Sequence, residues 1–165
     1  AAAALAWMFS EWMTHGKPSI LGIASGAIAG LVAITPDAGF VDPKGALILG
    51  IAAGIVCYIA STGIKRAIGY DDSLDVFGIH GVGGILGALL TGVFAVEAIG
   101  GTKGVLEGNV AQLWIQFYGI LATIIWGAVA TFVILMIIRV TMGLRVDEQT
   151  EVEGLDIRLH GEVVQ

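Results

Sequence analysis

The chain has 165 residues, 56% of them hydrophobic and 13% charged, against roughly a quarter charged in ordinary soluble domains. A formal net charge of −6 with 8 Lys and Arg excludes a nucleic-acid binder. The 25 glycines follow no three-residue period, which excludes collagen, and one cysteine, Cys57, excludes a disulfide framework. The acidity is local. Residues 147–162 hold six acids against the single base Arg158, while residues 1–146 hold eight acids and seven bases.

A bilayer crossing needs ~20 consecutive apolar residues, because ~30 Å of hydrocarbon is traversed at ~1.5 Å per residue. The first uncharged run, 1–10, opens AAAALAWMF and reads as the end of a span that began upstream. The runs 18–36, 45–64 and 76–96 each suffice for one crossing. The run 110–138 is about 43 Å of helix and must tilt, kink or project beyond the bilayer. None shows the polar stripe of a soluble amphipathic helix. The predicted fold is therefore all-α, a polytopic transmembrane bundle with spans over about 1–13 (partial), 18–36, 45–66, 74–97 and 109–142. A tail occupies 143–165.

Junctions between the runs set an orientation. Lys17, Lys65, Arg66 and Arg145 fall in alternate junctions on one side, with Arg139 nearby. The other side has Lys44 and Lys103 beside Asp37, Asp42, Glu97 and Glu107. The positive-inside bias puts the first set, and the C-terminus, in the cytoplasm. Trp7, Trp12 and Trp114, near span ends, are expected as interfacial anchors. Gly22, Gly26 and Gly30, then Gly50 and Gly54, then Gly83 and Gly87, repeat at four-residue spacing and predict close helix crossings.

The fourth run reads DVFGIHGVGGILGALLTGVF, and His80 is the one histidine deep within any uncharged run. Val76, Gly83, Gly84 and Gly87 stand at helical spacing from it, so an empty lane is expected beside the imidazole, filled either by another backbone or by a small permeant. An ionisable residue inside a membrane is costly to bury and points to a functional site. The plain alternative is a neutral histidine bonded to a neighbouring helix. Ahead of it, Asp72 and Asp75 are expected to cap the first turn of this helix. His15 and His160 lie in polar junctions and read as ordinary exposed histidines. No HExxH, CxxC, GxSxG or P-loop motif supports an enzyme, a metal site or a cofactor.

The segments SGAIAGLVAITPDAGFV, DDSLDVFGIHGVGGILGALLTG and GLRVDEQTEVEGLDIRLHGE resemble the Amt ammonium transporter family, with collinear spacing over essentially the whole chain. That resemblance implies an eleven-span homotrimer of the plasma (cell inner) membrane, with one ammonia pore per subunit. This chain would supply its last four spans and the end of the one before. It implies that His80 is the second of two histidines that share a hydrogen bond in the pore, the first lying in a half of the protein this chain does not contain. Ile28 and Val76 would line the pore on the cytoplasmic side, Thr35 would be a polar pore-side position, and Gly83, Gly84 and Gly87 would border it. Ammonium or ammonia is the implied substrate, and lipid surrounds the bundle.

The tail interleaves Leu144, Val146, Val152, Leu155, Ile157 and Leu159 among its charges, too many apolar residues for a pure coil. The resemblance implies that it docks on the inner loops, including Lys65–Asp75, and meets a PII-type nitrogen-signalling protein. Competing readings are an ammonium receptor of the same fold, a proton-coupled carrier and an intramembrane enzyme. A carrier would normally need a deep carboxylate, and none lies within these runs.

Overall fold

A computed structural model describes residues 1–163, so the last two positions of the expected tail lie outside the described residues. All the regular structure among the described residues is helical, with no strand among them. They fall into two compact units, Ala1–Leu121 and Ala122–Gln165.

In the first unit, α1 (Ala2–His15) ends at Gly16, which takes the left-handed conformation at φ 74° and closes the helix. Glu11 then clamps the next turn. Its Oε2 accepts from Ser19 N–H at 3.0 Å and its Oε1 from the Ser19 hydroxyl at 2.8 Å. Ser19 in turn caps α2 (Ile20–Ile34), accepting from Gly22 N–H at 2.9 Å. At the start of α3 (Pro43–Ile59), Asp42 accepts from Gly45 N–H at 2.7 Å and Pro43 occupies the first helical position, where its missing N–H costs nothing. The helix runs on through a π turn (Ala60–Ile64) into α4 (Lys65–Ile68) and stops at Gly69. A second π turn (Phe77–Gly81) leads into α5 (Val82–Phe94). The short α6 (Glu97–Gly100) and a 3-10 turn (Val105–Glu107) precede α7 (Ala111–Thr141).

Among the described residues, three continuous helical stretches are long and apolar enough to cross a membrane: Pro43–Ile68, Phe77–Phe94 and Ala111–Thr141. The run expected to span 18–36 is helical over Ile20–Ile34 and finishes in turns, about 22 Å of helix at ~1.5 Å per residue. None of α7's residues is buried, which suits its apolar character on every side.

Small residues decide how the first unit packs. Helix α1 lies against both α2 and α3 along the glycine ladders. A methyl group added at Gly26 would stand 2.5 Å from Trp7 Cβ, and one at Gly30 would stand 2.7 Å from Ala3 Cβ. At Gly54 it would overlap the Ala3 carbonyl oxygen and the Ala6 methyl. Helix α5 meets α2 the same way, with Gly87 pressed on the backbone of Ala33. Where lipid is as apolar as the side chains, this closeness supplies the packing contacts that hold helices together. Trp7 departs from the sequence expectation. It is 4% exposed in the core with Ala29, Cys57, Tyr58 and Ile79, its ring edge-on to Tyr58 at 5.6 Å. Gly26 lets the α1 backbone and Trp7 Cβ come close to α2, and the side chain packs inside rather than anchoring at an interface. Trp12 and Trp114 are exposed, as anchors would be.

The second unit carries the end of α7, a left-handed Gly143 and α8 (Glu148–Glu153). Asp147 caps α8 twice, accepting from Thr150 N–H at 2.9 Å and from its hydroxyl at 2.8 Å. Arg145 pairs with Glu151 at 2.8 Å and Arg158 with Glu153 at 2.8 Å. A π turn (Asp156–His160) comes last. The tail is thus folded within itself over its described residues.

Candidate functional site

His80 sits in the π turn that begins the α5 helix. A π turn inserts one extra residue into the helical repeat, which rotates the later residues about the axis and is frequent at functional positions. Its start is fixed by Asp72. The two carboxylate oxygens accept from Val76 N–H and Phe77 N–H, both at 2.9 Å, and these bonds hold the carboxyl below its ordinary value. Asp75 does something different from the expected cap. It takes the left-handed conformation at φ 55°, and its carboxylate pairs with Lys65 Nζ at 2.7 Å, tying the loop to the end of the preceding span.

On the side facing α3, the π turn is pinned by close contact. Gly78 lies against Ser61 of the other π turn, where a methyl group would stand 2.9 Å from Ser61 N and 3.0 Å from its Cα. Cys57 donates a weak bond to the Ile79 carbonyl oxygen at 3.9 Å. Gly78 and Ile79 are buried, while His80, one residue on, is exposed. Among the described residues no hydrogen-bond partner reaches its ring.

The expected glycine lane divides in two. Gly83 and Gly87 are filled by neighbouring helices: Cys57 Sγ would be 3.1 Å from a methyl at Gly83, and the Ala33 backbone occupies the space at Gly87. At Gly84 nothing lies within 4 Å of such a methyl. The open space on this helix therefore lies at the position four residues after His80, and the other two glycines serve the α2 and α3 contacts.

Helix α2 has a matching uncovered face. Ile28, Leu31 and Thr35 recur at three- and four-residue spacing and are all exposed, Ile28 at 44%. Val76, ahead of the π turn, is 50% exposed. Between these faces the two helices touch through Ala29 and Ala33 against Gly83 and Gly87. The arrangement leaves Ile28, Leu31 and Thr35 on one helix, and Val76, His80 and Gly84 on its neighbour, with no cover from the described residues. The Thr35 hydroxyl donates to the Leu31 carbonyl oxygen at 2.7 Å, leaving its lone pairs free. Chemically this is an apolar face with one imidazole and one hydroxyl.

Three further placements differ from the sequence reading or go beyond it. His15 is exposed, as expected, and in addition its Nδ1 lies 3.1 Å from the Tyr58 hydroxyl, which also bonds to Thr14. Leu31 joins the uncovered face, a position that the spacing Ile28–Leu31–Thr35 could have signalled. Asp37, read from sequence as a junction acid, is completely buried. No group of three His, Cys, Asp or Glu side chains that could hold a metal comes together among the described residues.

The model of the Ammonium Transporter Family matches residues 1–165. An ammonium transporter of Aquifex aeolicus is 55% identical over 160 residues, covering 97% of this chain and 38% of that relative. The crystal structure of Saccharomyces cerevisiae Mep2 superposes with a TM-score of 0.82 at 34% identity, over 90% of this chain and 35% of Mep2. A structure described as a sensor Amt protein superposes with a TM-score of 0.84 at 26% identity, over 96% of this chain and 38% of its own. The chain spans well under half the length of the relatives it matches.

Proposed function

The chain belongs to the ammonium transporter family, and from that premise we propose that the whole protein passes ammonium or ammonia across a membrane along an apolar lane containing His80. Membership makes it a multi-pass membrane protein. The observation that carries the proposal is the exposed, unpartnered imidazole on a face otherwise made of Ile28, Leu31, Val76 and Gly84. A polar side chain in that setting is expensive unless the rest of the protein or a permeant meets it.

The chemistry of such a lane favours a species that can shed its charge. Carrying a bare cation to mid-bilayer costs several kcal/mol or more. Ammonium can leave its proton behind and cross as ammonia, hydrogen-bonding to imidazole nitrogen on the way. Potassium has no neutral form. A neutral His80 offers one donor and one acceptor without presenting a fixed positive charge. In this reading a second histidine, from the part of the protein outside this chain, faces His80. Ile28 and Val76 line the inner half of the lane, and Thr35 supplies a polar contact at the other end of α2. Gly84 keeps space beside the imidazole. The reading extends to a homotrimer in the plasma membrane with a cytoplasmic C-terminus, transport rather than catalysis as its work, and a PII-type partner at the cytoplasmic face. The basic junctions Lys17, Lys65 and Arg66 support that orientation.

The test is flux. In liposomes holding the full-length protein, His80→Ala abolishes ammonium uptake or lets potassium through. Wild-type flux with wild-type selectivity in that variant would remove His80 from the path. Similarity to a sensor Amt protein favours a second reading, an ammonium receptor of the same fold. That reading requires specific ammonium binding by the wild-type protein with no flux above empty liposomes.

A further inference from the structure

Asp37 lies in the turn between α2 and α3, sealed from solvent, and neither carboxyl oxygen receives a hydrogen bond among the described residues. The turn itself is well bonded. Asp37 N–H donates to the Ile34 carbonyl oxygen at 3.1 Å, and the Asp37 carbonyl accepts from Phe40 N–H at 2.9 Å and Val41 N–H at 3.3 Å. The Phe40 carbonyl accepts from Val96 N–H at 2.8 Å, which ties the turn to the segment after α5. Because atoms of this chain already cover both oxygens, no residue from outside it can reach them unless the turn moves. The charge must be dealt with locally.

A sealed carboxylate without donors is far more costly than the neutral acid. Burial raises Asp37 from 3.8 to about 7. The Thr91 side chain of α5 is the group that opposes this shift, and its own proton goes to the Gly87 carbonyl oxygen at 3.0 Å. That leaves the Thr91 oxygen with lone pairs to accept, and a neutral Asp37 has a proton to donate. No charge on the surrounding elements takes over the task. Helices α2 and α5 carry no ionisable side chain over Ile20–Ile34 and Val82–Phe94. Asp42 accepts from Gly45 N–H, Lys44 is exposed, Lys103 pairs with Glu97 at 3.3 Å, and Glu107 accepts from Glu97 N–H.

We propose that Asp37 is kept as a neutral carboxylic acid whose O–H donates to Thr91 Oγ1, so that the relay Asp37–Thr91–Gly87 latches the α2–α3 turn onto α5, the helix that continues from the π turn of His80. The latch arises from the packing of this chain and does not depend on what the protein transports. It makes the fold sensitive to proton concentration near neutrality. A carboxyl that binds its proton more tightly folded than unfolded adds stability at low pH, and this contribution falls as pH rises from 3.8 toward about 7, then levels.

The experiment is thermal unfolding of the full-length protein in detergent from roughly pH 5 to pH 8, comparing wild type with Asp37→Asn, Thr91→Val and Thr91→Ser. An amide is neutral at every pH and can donate the same bond. Relative to Asp37→Asn, the wild type therefore loses several degrees of melting temperature as pH rises, most of it below neutrality. Thr91→Val lowers the melting temperature at the acid end and Thr91→Ser restores it. Parallel pH profiles for wild type and Asp37→Asn would overturn the proposal, as would a Thr91→Val protein that melts like wild type. An Asp37→Asn protein that fails to fold would also overturn it, since that result means the charged carboxylate is required. The readout is melting alone, so a failure of the transport reading leaves it intact.

Discussion

Asp72 shows how one side chain positions another. Its two bonds to Val76 N–H and Phe77 N–H start the π turn, and His80 comes three residues after the second of them. Asp72→Ala is expected to fray that start, lowering ammonium flux while the remaining helices stay assembled. Flux and gel filtration on the same preparation check both halves. Since these bonds depress the Asp72 carboxyl, their contribution is fully present above the ordinary aspartate range and disappears as pH falls through the depressed value. Asp72→Asn should lessen that acid sensitivity. The presence of an acid cap was readable from Asp72 and Asp75 standing ahead of an apolar run. Which of the two would cap was not, because the left-handed backbone at Asp75 and the reach of Lys65 from the preceding span are tertiary facts.

Between elements, the three glycines after His80 have separate tasks. Gly87 presses on the Ala33 backbone, which cannot yield as a flexible side chain could. Gly87→Leu is therefore expected to cost at least ~1–3 kcal/mol, the usual range for overpacking a tight contact, and to reduce recovery of folded protein in detergent. Gly84→Leu enters open space beside the imidazole, so the α2–α3–α5 packing survives and ammonium flux falls. Gel filtration and liposome flux separate the two outcomes. Equal loss of assembly in both variants would show that His80 and Gly84 face a packed helix. From the sequence the three glycines form one stripe. Only the placement of α2 and α3 assigns them to different surroundings.

For the whole molecule, the described bundle leaves an apolar face uncovered, and the chain covers 38% of its Aquifex aeolicus relative. The tail adds a regulatory expectation at this scale. Asp147 is held below its ordinary value by the Thr150 backbone bond and Glu151 by Arg145, so the order of α8 is present at neutral pH and lost as pH falls below the ordinary carboxylate range. Removing residues 147–165 from the full-length protein is expected to lower flux without unfolding or disassembling the membrane bundle. Hydrogen exchange provides the companion measurement, with α8 amides protected at neutral pH and unprotected in acid. Random-coil exchange together with undiminished flux would leave the tail a solvated extension.

Composition and run length by themselves determined that this is a helical membrane protein, because an uncharged stretch of ~20 residues has few other physical options. Glycine spacing forecast close crossings, and the solitary His80 pointed to a candidate functional face, since a polar group in such a run is costly to bury. Tertiary structure alone decided the rest. It buried Trp7 among Ala29, Cys57, Tyr58 and Ile79, and it bonded His15 to Tyr58. It also sealed Asp37, which the sequence shows only as a junction acid. Burial of a single residue depends on which distant backbone comes to lie beside it, and local sequence holds no record of that neighbour.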